Sequence, residues 1–175
     1  MITEIKMTGV DELAALWKRA PEIARRELFA AMTEADLLLQ NAVQVKTPEG
    51  WSKNLRQSIL AQQPEVSGDA VLGIVGTPVP YAIPVELGTK PHFPPVLALI
   101  DWVVDKLGVP EKEAKGVAFL VARKISRTGT QAAHMFRDGF AENTSRVQAI
   151  FERARDRIRN QLAASGNTGN AGGAA

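Results

Sequence analysis

Few side chains in this chain combine the residue type and the spacing that chemistry requires. There are two histidines, His92 and His134, and no cysteine in 175 residues. Disulfides, zinc-thiolate centres and thiol nucleophiles are thereby excluded. Neither histidine has a second imidazole or a thiol nearby, so an imidazole-based metal site would need carboxylates gathered from elsewhere in the chain. Ser58, His92 and Asp101 supply the residue types of a nucleophilic triad, but any chain of this length offers such triples. Asp101 and Asp105 stand four apart on one helix face, beside Lys106, a pattern that reads as a solvated face. Glu86 is the carboxylate that merits most attention. It lies between Val85 and Leu87 in a proline-restrained run, where partial burial would raise its pKa or demand a cationic partner. The same setting suits a structural role, as a salt bridge or an acceptor for turn N–H groups, and that reading is favoured over catalysis. No phosphate-cradling glycine loop, His-Glu-x-x-His, calcium-binding loop or Gly-x-Ser-x-Gly elbow is present, so no cofactor and no catalytic residue is expected.

Glu86 belongs to the run Tyr81 to Pro95, which holds four of the ten prolines, the only tyrosine and one histidine. Such density of φ-restricted residues describes a shaped corner. It divides the chain into a helix-and-hairpin half and a helical half. Ahead of it, Ile2 to Met7 alternates weakly, as an edge strand would, and Asp11 can cap a short helix carrying Leu13, Leu16 and Trp17. Pro21 suits the first turn of a second helix, which nothing interrupts before Lys46. Within it Ala24, Leu28, Ala31, Ala35, Leu38, Ala42 and Val45 recur at spacings of four and three, one stripe along a rod of roughly 39 Å. The stripe is mostly alanine, which permits close approach by a sheet, another helix or another subunit. Thr47-Pro48-Glu49-Gly50 ends that helix. A strand is expected at Ser58 to Gln63, a turn at Ser67-Gly68-Asp69, and a returning strand at Ala70 to Gly76.

Beyond the corner, Val96, Ile100, Val103 and Leu107 mark a helix that Gly108 stops, and Pro110 opens another with the stripe Ala114, Ala118, Val121 and Ile125, closed by Gly129. Phe136, Phe140, Val147, Phe151, Ala154, Ile158 and Leu162 mark a last helical stretch, with a break expected at Gly139. The fold class is α+β: a long N-terminal helix on a small antiparallel sheet, followed by a helical part. Residues 1–164 read as one domain, and the Gly/Asn/Ala-rich residues 165–175 as a disordered tail.

Composition narrows the function classes. A hydrophobic share of 45% with 23% charged residues belongs to a globular chain, and a net charge of +2 is too small to signal nucleic-acid binding by itself. No apolar run reaches membrane-spanning length and no secretory signal opens the chain, so the expectation is a cytosolic product without membrane contact. Arg153, Arg155, Arg157 and Arg159 form the densest basic cluster. It suits the end of a helix, and it supports the main alternative, a nucleic-acid-binding protein. A lytic factor or hydrolase built on Glu86 is a further alternative.

The order of several short motifs is more specific than any one of them. Gly9-Val10-Asp11-Glu12-Leu13, Thr47-Pro48 with Gly50, Leu55-Arg56-Gln57-Ser58-Ile59, and Tyr81-Ala82 followed by Val85-Glu86-Leu87-Gly88-Thr89 together resemble the bacteriophage tail-component family typified by gene product ten of phage HK97. His92-Phe93-Pro94-Pro95, Trp102-Val103, Gly129-Thr130 and the Phe136 and Phe140 stretch are similar to a subgroup of it. The likeness spans about Gly9 to Ile158, and it departs from the family at Glu49 to Asn54, where a longer turn replaces a common Asp-Thr-Gly. The resemblance implies a non-enzymatic virion part at the head-tail junction or proximal tail, assembled in the host bacterial cytoplasm. It implies a tail-completion or head-tail-joining role, a homo-oligomeric ring, and contacts with other neck and tail proteins such as an adaptor, connector, terminator or tube. DNA would pass through without sequence-specific binding. The assembly residues it points to are Leu55, Arg56, Ser58, Tyr81, Glu86, Gly88, Thr89, His92, Phe93 and Pro94.

Overall fold

The computed structural model describes residues 2–5, 21–48, 53–68 and 70–168. The elements in chain order are β1 (Ile2–Ile5), α1 (Pro21–Lys46), α2 (Asn54–Ser58), β2 (Leu60–Ala61), β3 (Glu65–Ser67), β4 (Ala70–Gly76), α3 (Ala82–Leu87), α4 (Leu97–Leu107), α5 (Glu111–Thr128), α6 (Met135–Ala141) and α7 (Thr144–Thr168). The class is α+β, with a long N-terminal helix, a small antiparallel sheet and C-terminal helices. The helix expected around Leu13, Leu16 and Trp17 and the turn at Glu49 to Ser52 lie outside the described residues, as do Asp69 and residues 169–175. Helix α7 continues to Thr168, past the point where composition suggests a tail. The chain divides into two compact units, one made of Ala42–Leu60 and Thr77–Gly139, the other of Ile2–Asn41, Ala61–Gly76 and the chain from Phe140.

The second of these units contains the sheet. Strand β4 is its centre: it pairs antiparallel with β1, Ile2 opposite Gly76 and Ile5 opposite Gly73, and with β3, Glu65 opposite Leu72. Strand β2 also pairs with β4, and the Gln62 N–H continues that line to the Ile74 carbonyl at 2.8 Å. Along β4, Val71, Gly73 and Val75 are buried while Leu72 and Ile74 are half-buried, the period-2 alternation of a strand with one face on the core. Ala24, Leu28, Ala31, Met32 and Ala35 of α1 meet Ile150, Phe151, Ala154 and Ile158 of α7 and Val71 of β4 in one core. The alanines of both helices let the two rods approach closely, and the large α7 side chains fill the remaining space. The stripe read from sequence holds as far as Ala35 and then shifts: Leu39 and Val43 are buried, whereas Leu38 and Ala42 are half-buried and Val45 is exposed. A straight helix at 3.6 residues per turn drifts against a strict alternation of fours and threes.

Two local expectations change. The strand expected at Ser58 to Gln63 is shorter, Leu60–Ala61, with Ser58 ending a helical turn, and the partner of β4 across the Gly68 turn is Glu65–Ser67. The Ser58 hydroxyl donates back to the Leu55 carbonyl at 2.8 Å, the local bond by which serine competes with extended structure. The break between α6 and α7 falls at Glu142 and Asn143, not at Gly139, which lies inside α6. Gly139 serves close approach: a Cβ there would stand 3.0 Å from Val43 Cγ2 and 3.2 Å from Val43 Cα.

In the other unit α4 and α5 form a helical hairpin around Val103, Ala114 and Ala118. Gly108 ends α4 in the left-handed region at φ 63°, with its N–H on the Val104 carbonyl, and Pro110 precedes the first turn of α5, where Glu111 and Glu113 sit. Both boundaries fall where the sequence signals place them.

Candidate functional site

The proline-rich corner is built around a short helix. Pro84 occupies the first turn of α3, where its missing N–H removes no helical bond. Gly88 then leaves the helix at φ 71°, ψ 177°, a conformation open essentially to glycine alone. This directs Thr89 against Thr130: each backbone N–H donates to the other's carbonyl, at 3.1 and 3.2 Å, and the two hydroxyls lie 3.0 Å apart. Beyond Thr130, the Ala133 N–H donates to Val85 O at 2.9 Å and the His134 N–H to Glu86 O at 3.1 Å. Gly129, also at φ 71°, comes so near the Thr89 carbonyl that no side chain fits. A Cβ on Gly88 would stand 2.6 Å from the Thr130 carbonyl oxygen. Two Gly-Thr dipeptides separated by 41 residues thus clasp each other.

Glu86 closes the clasp. It is 2% exposed, and its Oε2 accepts from the Phe136 N–H at 2.9 Å while Oε1 accepts from the Arg137 N–H at 3.0 Å. Both oxygens therefore satisfy orphan donors in the first turn of α6, as an N-capping side chain does, except that this one arrives from a distant segment. Phe136 and Met135, both buried, pack immediately beyond, and Thr47 donates from its hydroxyl to Val43 O at 2.7 Å and lies 3.3 Å from Met135 Sδ.

The remaining candidates disperse around this junction. Leu55 is buried, and Ser58 shares a 2.7 Å hydroxyl contact with Thr77. Arg56 is half-buried and Tyr81 is exposed. His92 is exposed with Nδ1 2.9 Å from the Lys90 carbonyl, Pro94 is half-buried, and the exposed Phe93 ring lies 6.0 Å from that of Phe119, a tilted aromatic pair. Ser58 and His92 thus spend their hydrogen bonds on neighbours other than each other. Glu86, Gly88 and Thr89 are the candidates drawn into one constellation. Their partners Gly129, Thr130, Phe136 and Arg137 were not among the expected site residues, although Gly129-Thr130 and Phe136 belong to the motifs of the subgroup resemblance.

The basic cluster is occupied. Arg153 reaches Glu34 at 2.8 Å, Arg157 reaches Glu27 at 2.8 Å, and Arg155 and Arg159 flank Asp156 at 3.4 and 3.8 Å. Gln161 adds a second bond to Glu27 at 2.9 Å, and the Arg157 and Gln161 bonds hold the Glu27 carboxyl below its ordinary pKa.

One polar group escaped sequence reasoning entirely. Asp36, on the buried face of α1, is 1% exposed and neither carboxylate oxygen has a hydrogen-bond partner. It lies against Gly73 of β4, in space that a side chain on residue 73 would take. Burial pushes its carboxyl up to about 6. Among the described residues no three His, Asp or Glu side chains are grouped to hold a metal ion, and no helix is long and apolar enough to cross a membrane.

Comparison with protein-family models, with curated proteins and with solved structures returns no match.

Proposed function

We propose that the chain is a structural virion protein of a tailed bacteriophage, acting without catalysis in head-tail joining or tail completion as a subunit of a homo-oligomeric ring. The observation that carries this reading is the fate of Glu86. The Val85-Glu86-Leu87-Gly88-Thr89 motif is one of those that carry the resemblance, and its carboxylate has both oxygens bound to backbone N–H groups. A carboxylate so engaged sets the shape of the backbone. At 2% exposure, with an N–H already on each oxygen, it is poorly placed to meet a substrate. The arginine cluster, the basis of the nucleic-acid alternative, is paired with Glu27, Glu34 and Asp156, which offset three of its four charges.

Ring formation is supported by large apolar side chains left exposed, among them Ile83, Leu87, Leu97, Phe119 and Leu120. The experiment is light scattering and negative-stain electron microscopy of the purified chain, alone and with candidate neck proteins, together with mass spectrometry of purified particles. The chain is expected in intact virions at a fixed multiple per tail, and its removal is expected to give filled heads without joined or completed tails. Its absence from particles would overturn the reading.

A further inference from the structure

The α4–α5 hairpin carries two exposed ridges of opposite charge and equal spacing. On α4, Leu97, Asp101 and Asp105 follow one another at four-residue intervals and are all exposed, Leu97 by 73%. On α5, Phe119, Arg123 and Arg127 repeat the same interval and are also exposed, Phe119 by 49%. Residues four apart on a helix stand one above the other, so each trio forms a continuous ridge with an apolar residue at its N-terminal end and two like charges beyond it.

The basic ridge is wider than the trio. Lys115, Leu120 and Lys124 flank it, and Phe93 packs on Phe119. From Ala114 to Thr128 the sequence has four cations and no acid, twice the +2 net charge of the whole chain. The ion pairs of the described residues lie elsewhere, apart from Lys106 against its neighbour Asp105 at 3.7 Å. The faces of α4 and α5 that carry Val103, Ala114 and Ala118 are already joined within the hairpin, so both ridges point away from that seam.

We infer that the α4 ridge of one copy of this chain docks on the α5 ridge of the next, with Leu97 on Phe119, Asp101 on Arg123 and Asp105 on Arg127. Laid side by side in the same direction, the two ladders match in spacing, in the position of the apolar residue and in sign. Because the two surfaces differ, the contact is head-to-tail, and repeated it builds a ring or an open filament instead of a closed dimer. Apolar side chains at the centre with charges beside them also give such a contact its register, since a shift by one turn sets Leu97 against a cation. This inference rests on the ring-forming reading and gives that ring its surfaces.

The test uses the full chain and two charge-reversed variants, Asp101→Arg with Asp105→Arg, and Arg123→Asp with Arg127→Asp, studied by sedimentation velocity across a range of salt. Each variant alone carries two ridges of one sign and is expected to dissociate at least about tenfold more readily than wild type. Mixed in equal amounts, the two variants again offer opposite ridges at every contact and are expected to assemble alternately. Recovery in the mixture also shows that both are folded. Variants that assemble like wild type overturn the docking and leave the ring reading standing. A wild-type chain that remains monomeric overturns it too, and the particle composition described above then decides the wider reading separately. Retention of the wild type on duplex DNA or on anionic vesicles, lost with Arg123→Asp and Arg127→Asp while self-assembly is unchanged, would assign the basic ridge to that polyanion and also overturn the inference.

Discussion

The Glu86 carboxylate accepts the backbone N–H of Phe136 at 2.9 Å, across 50 residues of sequence. A side chain on one short helix thereby starts another. Removing it leaves two donors in the first turn of α6 without an acceptor, at least one of them buried, and each such loss costs about 1–3 kcal/mol. Glu86→Ala is therefore expected to lower unfolding free energy by about 2–4 kcal/mol, and Glu86→Gln, which keeps one acceptor oxygen, by less. Urea denaturation followed by circular dichroism measures both, and equal losses in the two variants would contradict the capping role.

The glycines separate conformation from crowding. Gly88 and Gly129 are at positive φ and are blocked by opposing backbone, whereas Gly108 is at positive φ with open space around it. Alanine at 108 is expected to cost about 1 kcal/mol, the left-handed penalty alone. Alanine at 88 or 129 must also push the clasp apart, with an expected loss of more than about 2 kcal/mol at each. Thermal melts of the single variants check the ranking.

Asp36 gives the fold a pH dependence. Its folded pKa of about 6 stands above the usual 3.8, so the folded state binds the proton more tightly than the unfolded state. Stability should fall as pH rises from about 4 to about 6 and then level off, a penalty of about 3 kcal/mol for this one group. Asp36→Asn is expected to be more stable than wild type at pH 8 and to flatten that slope. Chemical denaturation at several pH values between 4 and 8 shows whether it does.

The ion pairs between α1 and α7 contribute little by comparison. Arg153 and Glu34 are each about half exposed, and such a pair is worth less than about 1 kcal/mol. Arg153→Ala should leave the melting temperature almost unchanged. The lowered pKa of Glu27 acts in the opposite sense to Asp36: its small contribution is present above pH 4.5 and is lost as pH falls through the folded value. A titration of the Glu27 carboxyl by NMR in wild type and Arg157→Ala follows it directly.

Helix boundaries were legible wherever a local signal sets them. Pro21, Gly108, Pro110 and Gly129 act through their own φ angles, and the structure places element ends beside each of them. Two failures share one cause. Gly139 looks like a helix breaker when only propensity is considered, but it packs closely against Val43 and the helix continues through it. Ser58 reads as the first residue of a strand, until it meets its own backbone and Thr77. Of the site, the importance of Glu86, Gly88 and Thr89 was legible because proline and glycine mark the backbone they shape. The segment that clasps them was not, because pairing across 41 residues leaves no periodicity to read.

The contact between Asp36 and Gly73 implies a constraint on how this sequence can vary. An alanine at 73 would claim the volume the carboxylate occupies, so it is compatible only with a smaller residue at 36; a glycine at 73 admits the carboxylate but does not demand it. Across related chains a side chain at 73 should therefore appear only with a smaller residue at 36, 37 positions away on another element, whereas 36 is free to vary over a glycine at 73.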